Sequence, residues 1–416
     1  MMNAFVCMVP LHYYFFKSIY KSLEDSVFII PPQTDKPIAE YGGGMSSRGL
    51  YDYVYSFLKQ KQANVVDYGP ADVDNFVSFI RNNVQNIICP HNFTGIHLLD
   101  NLRNFKIVYG VPRNIEAQFK YELNYLMDYI IAFGEEASDR YKSRGYDNTF
   151  YAGNPMFDDW FNDNIDEVLS EQIKKRLNHD KPTVLYLPTW NTYSSINTFA
   201  DEVLNLRHDY NIMIKLHHCT FNGEIDRLCK FMSYPEINVF GDYMDPLVLY
   251  KISDLILTDG VSGSTFDALL LGKPSIMLGS SLEEYGIDIF ENEVLSSDNK
   301  GQRLVEAVTT PRDLSRAIQN NLGKQIQLNE ELQRQLFFKT DGKAGERIAK
   351  IVVKTDERPA TSLLEKYDKA LKLVSDTKQL AIIEGSKHDF LRHCYPDEIK
   401  KTSFISKLAK RLLINA

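Results

Sequence analysis

The sequence is poor in cysteine and tryptophan, carries no surplus of basic residues, and has no apolar run long enough to span a bilayer. Of its 416 residues only five are cysteine and two tryptophan. The cysteines (Cys7, Cys89, Cys219, Cys229, Cys394) are odd in number and scattered, with no C-x-x-C pair, which argues against a disulfide framework or a zinc knuckle. That usage suits a reducing cytoplasm. Lys and Arg number 47 against 55 Asp and Glu, a net charge of −8, so the global balance lends nothing to nucleic-acid binding. The start lacks the basic region and small-residue cleavage site of a signal peptide. Its apolar stretch from Ala4 to Phe16 is interrupted by Pro10 and His12 and is too short to cross a membrane, so a soluble or peripheral protein is expected.

What is present is ordinary globular composition, 44% hydrophobic and 25% charged. The length suggests roughly two or three domains. Short β-rich runs alternate with longer helical segments, the pattern of α/β folds with parallel sheets. In the first half, strands are expected at Phe5–Val9, Val27–Ile30, Asn64–Asp67, Asn86–Cys89, Lys106–Tyr109, Asp128–Phe133 and Thr149–Tyr151. Phe76, Ile80 and Val84, at i, i+4 and i+8, mark a helix between two of them. Polar residues thicken from Asp158 to Asp180, around a helix such as Val168–Leu177. A second series follows, with strands at Thr183–Leu187, Ile212–Leu216, Ile237–Phe240, Leu255–Thr258 and Ser275–Leu278. The expected division is a Rossmann-like domain at 1–155, a linker at 156–181 and a second Rossmann-like domain at 182–355. Helices at 356–416 would then pack back on the first domain or meet a membrane surface.

The segment Leu255–Leu278, LILTDGVSGSTFDALLLGKPSIML, carries the most chemistry. A buried strand ends at Thr258-Asp259, a loop GVSGS follows, and a helix opens near Ser264 or Thr265. Small residues let the backbone approach a ligand, and free N–H groups at a helix start favour phosphate. The hydroxyls of Ser262, Ser264 and Thr265 add donors around Gly263. Parallel topology puts this loop at the C-terminal edge of the sheet, where open α/β sheets bind ligands. Three other segments share that edge: Leu187-Pro188-Thr189-Trp190-Asn191, Lys215-Leu216-His217-His218, and Gly241-Asp242-Tyr243-Met244-Asp245 before a helix at Pro246–Ile252. Lys215 and the two histidines could neutralise phosphate charge, and a histidine can act as an acid. Either histidine could equally be a hydrogen-bonded structural residue.

Together these segments resemble the CDP-glycerol glycerophosphotransferase (teichoic acid polymerase-like) family. The resemblance rests on Pro188-Thr189-Trp190, Lys215-Leu216-His217, the stretch from Ser253 through Asp267, and Gly272-Lys273-Pro274. Gly153-Asn154-Pro155-Met156-Phe157-Asp158 and Asp341-Gly342-Lys343-Ala344-Gly345-Glu346-Arg347 are similar to two further segments of that family. It implies a GT-B architecture, two Rossmann-like domains facing a central cleft, the first holding the acceptor and the second the nucleotide diphosphate. By position, His217 matches the family's basic-x-His histidine, and Ser262, Ser264, Thr265 and Asp267 match its pyrophosphate loop and helix start. The family's other catalytic histidine, in a Trp-His-Gly-x-Pro segment, is replaced here by Tyr109 in Val108-Tyr109-Gly110-Val111-Pro112-Arg113. His91 and Asn92, after the strand ending at Cys89, and His12, after the first strand, are other first-half candidates to serve the cleft.

The resemblance implies a transferase that moves a cytidine-nucleotide-activated group onto a bacterial surface glycan or a teichoic or capsular polymer, inverting or retaining. The group is glycerol phosphate, ribitol phosphate or a CMP-activated sugar acid. The base is expected to be read by backbone groups of the Gly241–Asp245 turn beside Tyr243 and Met244. No tightly bound cofactor is expected, only CMP or CDP as part of substrate or product. No metal ligands are expected either, since no Asp-x-Asp lies at a strand end near the loop. A nucleotide-sugar 2-epimerase, a UDP-sugar-dependent GT-B glycosyltransferase and a non-enzymatic binding domain stay open. Two segments suit other contacts. Gly42–Arg48 is a flexible loop suited to an anionic acceptor or to a plain linker. The tail has Lys400, Lys401, Lys407, Lys410 and Arg411 against Phe404, Leu408 and Leu412, which suits an anionic membrane surface or packing on the protein itself.

Overall fold

The computed structural model describes residues 1–32, 47–69, 72–108 apart from 92, 94 and 101, 124–279 apart from 261, 305–355, 361–373 and 377–394. Of the segments singled out above, residues 42–46, Asn92, 109–113, Val261 and the basic tail 400–416 lie outside the described residues.

Two six-stranded parallel sheets carry the fold. The first contains β1 (Met2–Val6), β2 (Ser26–Ile29), β3 (Val84–Cys89), β4 (Arg103–Ile107), β5 (Tyr129–Ala132) and β6 (Thr149–Tyr151), in the order β2-β1-β3-β4-β5-β6. The second contains β7 (Thr183–Leu187), β8 (Asn211–Lys215), β9 (Asn238–Phe240), β10 (Leu255–Asp259), β11 (Ser275–Leu278) and β12 (Glu306–Val308), in the order β12-β11-β10-β7-β8-β9. Every residue of β7 and β10 is buried, as strands covered by helices on both faces must be. In each sheet the chain starts near the middle, runs out to one side and returns on the other. That makes β1/β3 and β7/β10 the switch points, where side-by-side strand ends leave a crevice.

Two strand expectations change, and one strand is unexpected. The first strand stops at Val6, because Pro10 opens helix α1 (Pro10–Ser22) with Val9 as its extended N-cap, and the fixed φ of proline suits that position. Asn64–Asp67 is no strand. Val65 makes a single parallel bridge to Phe28 before the Asp67 carboxylate accepts the Gly69 N–H at 3.1 Å and turns the chain. The short edge strand β12, with Glu306 in it, has no counterpart among the expected strands.

The chain beyond β12 returns to the first sheet. Helix Ala344–Thr355 packs on α1, helix Glu330–Phe337 on helix Glu135–Lys142, and helices Leu363–Leu373 and Thr377–Cys394 over residues 96–98 and 124–126. Leu363, Tyr367 and Phe390 are buried there, beside a Lys366–Asp128 ion pair at 2.7 Å. Two family-like segments meet in this return. The Asp158 carboxylate accepts the N–H groups of Ala344 (2.9 Å) and Gly345 (2.7 Å), and Arg347 Nε donates to the Ala152 carbonyl at 2.8 Å. A Cβ on Gly345 would lie 2.5 Å from Ser18 Oγ, so only glycine lets this helix lie so close to α1.

α1 and helix α2 (Ser47–Gln60) also reach the second sheet. Lys17 pairs with Asp159 at 2.7 Å and Asp245 at 3.1 Å. Tyr14 Oη donates to the Tyr243 carbonyl, and Tyr53 Oη to Asp242 Oδ1, both at 2.7 Å.

Candidate active site

A cavity of about 330 Å³ opens at the C-terminal ends of β7, β8, β9 and β10. Its far wall comes from the first sheet: Leu11 and Phe15 of α1, Phe133 after β5, and Asn154 and Met156 after β6. The segments expected to share one rim do so. Thr189, Trp190, Lys215, His217 and His218 line the cavity, as do Ser262, Gly263, Ser264 and Asp267.

The floor of the site is fixed by Asp259 at the end of β10. Its buried carboxylate accepts Thr189 N–H (2.7 Å), Thr189 Oγ1 (2.6 Å), Ser195 N–H (3.1 Å) and the Ser195 hydroxyl. Burial pushes its pKa up, and these hydrogen bonds oppose the shift. Asp259 therefore spends its oxygens on holding the β7 exit loop at the switch point, and it does not line the cavity. Thr265 is buried likewise, its hydroxyl 2.7 Å from that of Thr258, which pins the helix start to β10. Ser262 Oγ accepts the Ser264 N–H at 3.1 Å and keeps its own proton to donate.

Lys215 is buried at the end of β8, and among the described residues no hydrogen bond or ion pair holds its ammonium. Burial lowers its pKa, while Asp242 and Asp245 raise it from beyond ion-pair range. His217 stacks on Trp190 at 6.0 Å and lies 4.0 Å from the His218 ring, centroid to centroid. Its Nδ1 accepts the Cys219 N–H at 3.2 Å, so His217 caps helix His218–Gly223, and the ring's proton sits on Nε2. Burial, then the neighbouring His218 and Lys215, hold His217 well below its usual value. Burial and Lys215 bring His218 down to about 3. Both rings are neutral at pH 7, able to donate N–H bonds but not carrying charge. Burial raises the Asp267 carboxyl to about 7, opposed by the Tyr250 hydroxyl 3.4 Å away.

On the first-sheet side, His12 and His91 follow the two strands of that sheet's switch point. Their rings are 6.0 Å apart. His12 is buried and its Nδ1 accepts the Met8 N–H at 3.2 Å. Burial, then His91 and His218, lower its pKa well below the ordinary range, so the histidines of the two sheets sense each other across the cleft. His91 does not itself line the cavity. Nor do Tyr243, which is 42% exposed, or Met244, which lies in the core; Asp242 of that turn and Pro246, which opens the helix after it, are the ones that do.

Ligand atoms of His217, His218 and Cys219 lie within 4.8 Å of one another, close enough to gather round an ion. The fit is poor. Burial and Glu224 push the Cys219 thiol up to about 12, His217 Nδ1 is already taken, and the Lys215 ammonium beside them repels a cation.

The model of the CDP-Glycerol:Poly(glycerophosphate) glycerophosphotransferase family matches residues 107–354, more than half of the chain. The chain belongs to that family. It is a transferase, and its two facing parallel sheets are a GT-B fold. Among solved structures it is similar to the wall teichoic acid polymerase TagF, at 17% identity and a TM-score of 0.57 over 86% of this chain and 89% of that one. It is also similar to the UDP-GlcNAc 2-epimerase of Methanocaldococcus jannaschii, at 16% identity and a TM-score of 0.54 over 85% and 100%. The corresponding enzyme of Neisseria meningitidis gives 14% and 0.53 over 86% and 99%. At such identities the likeness speaks for the fold alone. No curated protein sequence matches the chain. Among the described residues no helix is long and apolar enough to cross a membrane.

Proposed function

We propose that this transferase takes glycerol phosphate, ribitol phosphate or a CMP-activated sugar acid from a cytidine nucleotide and adds it to a surface glycan or a teichoic or capsular polymer. The nucleotide is a dissociable substrate rather than a resident cofactor. Residues 182–355 hold it, and 1–155 present the acceptor. The observation that carries this reading is Lys215, a buried residue whose ammonium has no acceptor among the described residues, set in one cavity with the hydroxyls of Ser262 and Ser264. A buried cation with no partner is costly, and a phosphate oxygen supplies the partner. His217 Nε2–H adds a neutral donor to the same anion.

In the reaction the acceptor oxygen bonds to the transferred group as that group's bond to the nucleotide's phosphate oxygen breaks. Negative charge then collects on the departing phosphate, where Lys215, His217 and the serine hydroxyls receive it. The acceptor's proton goes to a base on the first-sheet side, where His91 stands beside His12 at the switch point, behind the residues that line the cavity. Thermal shifts test the donor. CMP or CDP should raise the melting temperature clearly more than UMP, UDP or GDP at equal concentration. A larger shift with UDP than with both cytidine nucleotides would replace this reading with a UDP-sugar enzyme.

A further inference from the structure

The turn after β9 presents Asp242 to the cavity, not the backbone beside Tyr243 and Met244. Asp242 is wholly buried. Its Oδ1 accepts the Tyr53 hydroxyl at 2.7 Å, while its Oδ2 is buried with no hydrogen-bond partner among the described residues. Orphaned buried oxygens are rare in folded chains, and at a cavity wall they point to a missing ligand atom. Gly241 makes room for this arrangement, since a Cβ there would meet the Phe221 and Tyr243 rings at 2.7 and 2.8 Å. Burial is the largest influence and raises the pKa of this carboxyl, opposed by the Tyr53 hydroxyl, the Lys215 ammonium, its own backbone N–H and a hydrogen bond from the Asn222 side chain. Ionised, Oδ2 can only accept, so the ligand atom it takes must be a donor.

We propose that Asp242 is the residue that selects the nucleobase, its Oδ2 accepting a hydrogen bond from an exocyclic amine so that an aminopyrimidine is preferred to its keto counterpart. This rests on the nucleotide reading above and names the group within that site that tells cytosine from uracil. A uracil in the same pose would set a carbonyl oxygen against the carboxylate, two acceptors with no proton between them. Tyr53 is the positioning residue. Its hydroxyl, brought from the first-sheet side by α2, fixes which carboxylate oxygen is left for the ligand.

Calorimetric titration of the full chain with CMP and with UMP tests the assignment. The wild type should favour CMP by about 5–100-fold, the worth of one buried hydrogen bond made or spoiled. Asp242→Asn keeps the shape and lets an amide turn its N–H₂ toward a keto oxygen. It should bring the ratio to within about threefold, mostly by tightening UMP. If that variant does not fold, Tyr53→Phe carries the test, because it leaves the carboxylate but frees its orientation; the ratio should fall by about threefold or more. A wild-type CMP preference that survives in both folded variants overturns the Asp242 assignment alone. A wild type that binds neither nucleotide, or prefers UMP, overturns the cytidine reading with it.

Discussion

Lys215 is buried at the end of β8 and His217 and His218 are half-buried beside it, with no carboxylate among the described residues in ion-pair range. Burial lowers the proton affinity of each, His218 to about 3, so both imidazoles are neutral at pH 7. A bound phosphate reverses that, because an anion at hydrogen-bond distance favours the protonated forms. The complex then binds more protons than the free chain, and by linkage affinity must rise as pH falls. CMP affinity should therefore increase from pH 8 to pH 6 in calorimetric titrations, and a flat profile would mean that the phosphate lies elsewhere. His217 needs a variant that separates its two roles, since it also caps a helix through Nδ1. Asparagine is a good N-cap but cannot act as an imidazole. His217→Asn should fold like the wild type yet lose about 10²–10⁴-fold in turnover if the ring acts on the leaving phosphate. Turnover within a few-fold of wild type would leave the cap as its only role.

At the scale of elements, two family-like segments 180-odd positions apart meet at the joint between Asp158 and helix Ala344–Thr355, away from the cavity that Asn154 and Met156 of the first segment line. Asp158 satisfies two N–H groups at the helix start that would otherwise be orphaned in a buried place. Asp158→Ala should cost about 1–3 kcal/mol in a urea melt, and a loss below half of that would make the joint incidental. This joint also shows what the sequence can and cannot reveal. β7 and β11 are legible to the residue, because fully buried parallel strands read as continuous apolar runs. The rim at Thr189, Lys215, His217 and Ser262 is legible because parallel topology collects strand ends. The opposite wall is not. Leu11, Phe15, Phe133 and Met156 come from a helix start and two strand exits of the other sheet, and an apolar residue looks the same facing a cavity as facing a core. Nor could spacing show that Asp259 would be consumed by Thr189 and Ser195, or that Asp242 would keep an oxygen free. Those outcomes depend on which loops fold over each strand end.

At the scale of the molecule, the cavity exists only because α1 holds its place against the second sheet. Leu11 and Phe15 form its far wall, and Lys17, on the same helix, anchors it. Burial lowers the proton affinity of Lys17, but Asp245 and Asp159 more than restore it, so the ammonium stays charged in a largely buried place. Asp245 is tied at the same time to the start of helix Pro246–Ile252, where its Oδ1 accepts the Leu247 N–H at 3.0 Å. One cation thus fastens α1 both to the exit from the first sheet and to the turn that carries Asp242. Replacing Lys17 by methionine keeps most of the packing but leaves two largely covered carboxylates facing each other without a counter-charge. Breaking a buried pair from one side costs about 3–5 kcal/mol, well beyond what an exposed bridge is worth. Lys17→Met should lose on that order in urea melts at pH 7, and Lys17→Met with Asp245→Asn should lose less than the sum of the two singles. The donor KM should rise as well, because the wall carried by α1 loses its anchor. A stability loss under about 1 kcal/mol with an unchanged KM would show that Lys17 is an ordinary surface ion pair and that other contacts align the two sheets.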